Sequence, residues 1–249
     1  MATIGIFDSG SGGLSVYREI VKLLPQERYL YFADNAHCPY GEKTVEYIQD
    51  RARTITDILQ GMGADIIVVA CNTATAAAIH VLREEYPGVP FIGMEPAVKP
   101  AALGTKTGVI GVLATAGTLK GSKYLNTKGR FKDEVRIIEH VGEGFVELVE
   151  NGILEGPEAE ETVRASLQPL LDAGADRIVL GCTHYPFLRP VIESVAGADV
   201  HVIDPAPAVA RQTLRILKER RIPLGEGPFH VELYYSGNPD SLQRIFALV

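Results

Sequence analysis

The sequence predicts an α/β fold of two similar three-layer lobes, each with a mainly parallel sheet enclosed by helices. Short apolar runs alternate along the chain with longer segments of helical period, which is typical of parallel sheets. Two stretches of the first half recur in the second half in the same order, and prolines lie between the copies. Such a duplication predicts lobes related by a pseudo-two-fold axis, with a ligand site in the cleft between them.

Nine strands are predicted, each a short apolar run bounded by turn-forming residues. They cover Thr3–Phe7, Tyr29–Ala33, Asp65–Ala70, Phe91–Gly93, Gly108–Leu113, Val135–Glu139, Arg177–Gly181, Val200–Ile203 and Phe229–Tyr235. Apolar residues from Val45 to Met62 recur every three or four positions, which is the spacing of one face of an amphipathic helix. Similar spacing predicts helices from Leu14 to Leu24 and over Ala76–Tyr86.

The main sign of duplication is a pair of matches without gaps. Gly63–Cys71 matches Gly174–Cys182, and Ile4–Ser9 matches Ile110–Thr115 at nearly the same offset. A proline-containing linker is expected at residues 95–100, and a return crossing is expected near residues 204–207. We therefore expect residues 1–96 and 208–249 to form the first lobe, and residues 97–207 to form the second lobe.

Charge and hydropathy exclude several classes of protein. The net charge of −7 argues against nucleic-acid binding, which requires a basic surface. Every apolar stretch is far shorter than the roughly 18 residues of a membrane helix, so no membrane association is expected. The first residues lack the basic start of a secretory signal, which makes the cytoplasm the expected location.

The cysteine and glycine patterns argue against metals and cofactors. Three cysteines without a CxxC motif fit neither a disulfide framework nor a zinc site. No histidine cluster has metal-ligand spacing, and the glycine-rich loop after the first strand matches no nucleotide-binding motif. We therefore expect the site to hold no metal, and no cofactor is evident from the sequence.

Two thiols occupy matched positions in the two copies. Cys71 and Cys182 each follow a strand at its carboxyl end, which is where open parallel sheets bind ligands. Inversion of a carbon centre needs one acid/base group on each of its faces, and a thiol titrates near enough to neutral pH for both roles. The alternative for each cysteine alone is a buried apolar residue at the end of a core strand. For Cys38, which has no counterpart, that alternative is preferred.

Six stretches carry a resemblance to a known family, in the order that the family has them. They are Ile6–Leu14, Asp34–Gly41, Ala70–Ala74, Glu95–Pro100, Ala114–Thr118 and Gly181–Pro186. At these residues the chain resembles the glutamate racemases of the cofactor-independent aspartate/glutamate racemase superfamily. The resemblance implies interconversion of L- and D-glutamate by two thiols, supply of D-glutamate for peptidoglycan, and a homodimer.

The resemblance also implies roles for individual residues. Cys71 would act on the D-glutamate side with help from Asp8, and Cys182 on the L-glutamate side with help from His184 and a glutamate. The substrate pocket would be lined by Asp8, Ser9, Tyr40, Gly41, Asn72, Thr73, Thr115, Thr118, Thr183 and His184.

One stretch departs from the family pattern. Family members usually carry a Cys-Pro pair before the helix that bears the assisting glutamate, whereas this chain reads His140-Val-Gly-Glu-Gly. Alignment of the following Phe145-Val and Leu148-Val pairs selects Glu150, and Glu147, one helical turn away, is the alternative.

Three other functions stay open from the sequence. The first is a related racemase that acts on aspartate or another amino acid. The second is a two-lobed binder of small anions without catalysis, because hydroxyls and backbone N–H groups surround both cysteines. The third is a redox protein in which the two thiols form a bridge, although such sites more often use CxxC.

Overall fold

The computed structural model describes all residues, 1–249, and contains nine strands. They are β1 (Thr3–Asp8), β2 (Arg28–Ala33), β3 (Ile66–Val69), β4 (Phe91–Gly93), β5 (Val109–Ala114), β6 (Arg136–Val141), β7 (Arg177–Gly181), β8 (His201–Ile203) and β9 (His230–Tyr235). All nine lie at the predicted places, since each is a short apolar run that a parallel sheet can bury.

Ten α-helices lie between the strands, and an eleventh follows the last strand. They are α1 (Leu14–Leu23), α2 (Val45–Gly61), α3 (Asn72–Glu85), α4 (Val98–Gly104), α5 (Ala116–Lys120), α6 (Ser122–Phe131), α7 (Phe145–Asn151), α8 (Pro157–Asp172), α9 (Arg189–Ala196), α10 (Ala206–Glu219) and α11 (Asp240–Phe246). None of them is both long and apolar enough to cross a membrane.

The strands form two sheets in which every pairing is parallel. The first sheet has the order β4-β3-β1-β2-β9, and the second has the order β6-β5-β7-β8. In the opposite direction, the first four strands have the order β2-β1-β3-β4, which matches the order β6-β5-β7-β8 of the second sheet. A duplicated unit produces matched strand orders of this kind. The predicted two-lobed α/β fold is confirmed.

The chain returns to the first sheet through its last strand. β9 pairs with β2 over its whole length, from Arg28 opposite His230 to Ala33 opposite Tyr235. The residue limits proposed for the lobes stay a prediction, and α10 begins just before the proposed limit at residue 207.

The largest hydrophobic core joins the two lobes. It contains 39 buried residues, among them Ile20 of α1, Phe145 of α7 and Leu217 of α10. A smaller core of 16 buried residues lies between α2, α3 and the first sheet. Because apolar packing is continuous across the lobes, it brings the carboxyl ends of β3 and β7 to a common cavity.

Candidate active site

A small cavity lies between the lobes and has a thiol from each of them. Its lining contains Ser9, Pro39, Tyr40, Gly41, Cys71, Asn72, Thr73, Thr115, Val146, Cys182, Thr183 and His184. The volume is about 20 Å³, which has room for about one water molecule. Ten of these twelve residues were predicted from the sequence, and Pro39 and Val146 were not.

Cys71 is placed at the start of a helix. It is the N-cap residue of α3, and its sulfur accepts a hydrogen bond from the backbone N–H of Ala74 at 3.4 Å. The same thiol lies 3.8 Å from the hydroxyl of Ser9. The N-terminus of a helix favours negative charge, so the N–H of Ala74 acts to lower the pKa of Cys71, against the larger effect of burial.

Asp8 lies behind Cys71 and is fully buried. Its Oδ2 atom accepts a hydrogen bond from the backbone N–H of Gly13 at 2.7 Å, and the hydroxyl of Thr183 lies 3.4 Å away. Burial raises the pKa of Asp8 above its ordinary value, against the opposing effects of His184 and the N–H of Gly13. Burial and the nearby Asp8 carboxylate also raise the pKa of Cys71 well above its usual range.

Cys182 belongs to a chain of three polar side chains. Its sulfur lies 3.7 Å from Nδ1 of His184, whose Nε2–H donates to Oε1 of Glu150 at 2.6 Å. Burial alone would lower the pKa of His184, but the Cys182 and Glu150 partners outweigh it and raise that pKa well above its usual range. Burial likewise opposes ionisation of Glu150, yet hydrogen bonds from His184 and Ser241 hold its pKa at about 2.

The geometry separates the two candidate glutamates. Glu150 is bonded to His184, whereas Glu147 lines an outer cavity and is exposed. That outer cavity has a volume of about 390 Å³ and shares Pro39, Gly41 and Thr115 with the small cavity. The shared lining residues place the two cavities next to each other.

The glycines of the loop after β1 let the loop backbone lie close to side chains of the second lobe. A Cβ added at Gly10 would lie 2.5 Å from Oε1 of Glu150, and one added at Gly12 would lie 2.4 Å from Nδ1 of His184. Glycine lets the backbone of the first lobe touch the histidine–glutamate pair of the second lobe.

One polar side chain of the cavity lining, Asn72, has no protein partner. Both amide atoms of Asn72 are buried and have no hydrogen-bond partner. Buried amide groups normally have hydrogen-bond partners, so the unpaired amide of Asn72 is available to a polar ligand. Nearby, the hydroxyl of Thr115 lies 2.8 Å from that of Thr73 and 2.9 Å from that of Thr118, which joins the lobes on this side.

Tyr40 is held in the cavity wall by a buried ion pair. Its hydroxyl donates to Oδ2 of Asp34 at 2.5 Å, and Arg51 donates two further hydrogen bonds to the same carboxylate at 2.8 and 2.9 Å. Burial raises the pKa of Asp34, but these donors outweigh it and lower that pKa below its ordinary value.

Several residues of the site were missed by sequence reasoning. Ser11 and Ser241 donate hydrogen bonds to Glu150, and neither serine was predicted. The ligand atoms of Cys38, Glu150 and His184 lie within 4.8 Å of one another, so these residues have the spacing to hold a metal ion. Hydrogen bonds between segments that are far apart in the sequence produce no local pattern, so these contacts were not predicted. Ser11 nevertheless lies in Ile6–Leu14, one of the stretches that carry the family resemblance.

Comparison with known families identifies the chain. The sequence profile of the family Asp/Glu/Hydantoin racemase matches residues 4–213. The chain belongs to this family. The assignment made from the motifs is therefore confirmed, and the protein is an isomerase.

Similar proteins agree over the full length. A glutamate racemase of Pseudomonas putida (strain W619) is 49% identical over 249 residues, which cover 100% of this chain and 94% of that protein. A glutamate racemase of Pseudomonas aeruginosa is 47% identical over 248 residues, with 100% and 94% coverage.

Solved structures give the same result. The structure of Escherichia coli glutamate racemase with L-glutamate and the activator UDP-MurNAc-Ala has a TM-score of 0.88 and 34% identity, covering 99% of this chain and 93% of that chain. The structure of Francisella tularensis glutamate racemase with D-glutamate has a TM-score of 0.85 and 26% identity, covering 99% and 92%.

Proposed function

We propose that the protein interconverts L- and D-glutamate by two-base proton transfer between Cys71 and Cys182. The observation that carries the proposal is a single small cavity lined by one cysteine from each lobe. Full-length similarity to glutamate racemases, including relatives solved with L- and D-glutamate, supports glutamate as the substrate. Aspartate or another amino acid remains the alternative substrate, and non-catalytic anion binding the alternative function.

Each turnover moves one proton on each face of the α-carbon. The thiolate of one cysteine takes the α-proton and becomes a thiol, leaving the electron pair of the broken C–H bond on the α-carbon. The thiol of the other cysteine gives its proton to the opposite face of that carbon and becomes a thiolate. The net result is inversion without oxidation, and the enzyme is left ready for the reverse direction.

The two thiols are prepared differently before substrate binds. Burial and Asp8 keep Cys71 protonated, because both raise its pKa. Cys182 instead faces the imidazole of His184, with Nδ1 at 3.7 Å from its sulfur. Under the family assignment, Cys182 takes the proton from L-glutamate and Cys71 gives a proton to the opposite face of the α-carbon.

The α-proton of an amino acid is weakly acidic, so the carbanion needs strong stabilisation. The free amide of Asn72 and the hydroxyls of Thr73 and Thr183 can hold the substrate carboxylate in a site that excludes water. A cavity of about 20 Å³ is too small for glutamate, so substrate binding requires the lobes or lining side chains to move apart.

The wider biological assignments belong to the same proposal. The D-glutamate formed would feed peptidoglycan synthesis in the cytoplasm, and the enzyme would act as a homodimer.

Exchange in heavy water tests the mechanism. Incubation of the wild-type protein with L-glutamate in D₂O should produce D-glutamate and place deuterium on the α-carbon. Cys71→Ala and Cys182→Ala should each abolish net racemisation. Each variant should still exchange the α-proton of the one enantiomer that faces its remaining thiol. Full racemisation by either variant would refute the two-thiol mechanism, and an inactive wild-type protein would refute the function.

A further inference from the structure

The carboxylate of Glu150 is held by serines that follow strands of the other sheet. Oε1 accepts hydrogen bonds from the backbone N–H of Ser11 at 2.8 Å and from its hydroxyl at 2.9 Å. Oε2 accepts a hydrogen bond from the hydroxyl of Ser241, which lies 3.1 Å from the Ser11 hydroxyl. The serines follow β1 and β9 of the first sheet, whereas Glu150 belongs to α7 beside the second sheet.

The helix that bears Ser241 is wedged between the lobes. On one side, the ring of Phe246 in α11 packs 5.9 Å from that of Tyr17 in α1. On the other side, Arg244 donates a hydrogen bond at 2.6 Å to the backbone carbonyl of Asn151 at the end of α7. The position of Ser241 therefore depends on how this C-terminal helix docks against both lobes.

We propose that Ser241 is a positioning residue for proton transfer at Cys182, acting through Glu150 and His184. The inference rests on the two-thiol function proposed above. The alignment of Cys182, His184 and Glu150 then depends on docking of α11 between the lobes.

The physical reason lies in the orientation of one carboxylate. An ionised carboxylate that accepts from Nε2–H of His184 leaves Nδ1 facing the sulfur of Cys182 and stabilises the imidazolium when it forms. Ser11 holds Oε1 and Ser241 holds Oε2, so the carboxylate plane cannot rotate away from the imidazole. Without the Ser241 hydroxyl, Oε2 has no protein donor.

Kinetic isotope effects can separate this role from a general structural one. L- and D-glutamate have equal free energies, so any variant changes kcat/KM equally in the two directions. The primary deuterium isotope effect can differ between the two directions, because it reports which of the two proton transfers limits the rate. Substrates deuterated at the α-carbon should therefore be compared for both enantiomers.

Ser241→Ala should lower kcat/KM about tenfold in both directions, the factor of one hydrogen bond to a charged group. The isotope effect should rise for the enantiomer that Cys182 deprotonates and fall for the other enantiomer. Ser241→Thr, which keeps the hydroxyl, should restore the wild-type ratio of the two effects. Gln243→Ala, at an exposed position of the same helix, is the matched control and should leave the ratio unchanged.

The outcomes are distinguishable. An unchanged ratio of isotope effects in an active Ser241→Ala variant would overturn this inference and leave the racemase function intact. A wild-type protein without racemisation would overturn both. If Ser241→Ala does not fold, Ser11→Ala removes the other hydroxyl on the same carboxylate and should move the ratio in the same direction. An unmoved ratio there would overturn the inference as well.

Discussion

Replacement of Glu150 by glutamine should destabilise the protein in a limited range of pH. The carboxylate accepts hydrogen bonds from Ser11 and Ser241 and pairs with the buried His184 at 2.6 Å. Glutamine has nearly the same shape, so the substitution removes the charge and leaves the packing almost unchanged. The expected effect is therefore electrostatic.

The size of the effect follows from the pKa of the carboxyl group. A pKa lowered from 4.5 to about 2 in the folded protein corresponds to about 3 kcal/mol of stability, at about 1.4 kcal/mol for each pKa unit. The side chain of Glu150 is 20% exposed, which makes this value an upper bound because solvent screens part of the interaction.

The direction of the pH dependence is different for the two partners. The contribution of Glu150 is present above its unfolded pKa and is lost as pH falls through its folded pKa of about 2. The raised pKa of His184 contributes stability below its unfolded value, and this is lost as pH rises through the folded value. The difference between wild type and Glu150→Gln should therefore be largest between about pH 5 and pH 6.5.

Urea unfolding followed by circular dichroism over a pH series measures this difference. Glu147→Gln is the matched control, because it makes the same chemical change one helical turn away at an exposed position. The control should lose little stability at any pH. Equal losses in the two variants, or a loss in Glu150→Gln that does not depend on pH, would refute the proposed pairing with His184.

Two further predictions concern the walls of the site. Gly12→Ala places a Cβ 2.4 Å from Nδ1 of His184, so the displaced imidazole should lower kcat/KM about a hundredfold, measured by the decay of optical rotation. Asp34→Asn removes the charge that pairs with Arg51 and weakens the hydrogen bond from Tyr40, so urea unfolding should show a loss of about 3 kcal/mol and kinetics a higher KM.

Surface variants of the same kind serve as controls for both. Gly88→Ala adds a Cβ in open space and should leave kcat/KM unchanged. Asp50→Asn breaks an exposed ion pair with Arg53 and should change stability by less than about 1 kcal/mol. If Gly12→Ala keeps full activity, the close approach of the loop to His184 is not required. If Asp34→Asn matches Asp50→Asn, the buried pair does not hold Tyr40.

Local patterns were sufficient for the strands, and the resemblance to a known family supplied most of the cavity lining. Apolar runs located all nine strands, and the matched repeats placed Cys71 and Cys182 at the ends of equivalent strands β3 and β7. The start of α3 was placed too late, at Ala76 instead of Asn72. The first turn of this helix carries polar residues toward the cavity, so it lacks the apolar period that predicts a helix.

The sequence by itself determined which strands form, that the chain is duplicated, and which side chains stand at the strand ends, because these features depend on neighbouring residues. Only the tertiary structure decided that Glu150 meets His184 while Glu147 does not, and that Ser241 completes the same network. It also decided the size of the cavity between the thiols. These features depend on how the two sheets pack against each other. The periodicity of a single segment carries no information about the distance between the sheets.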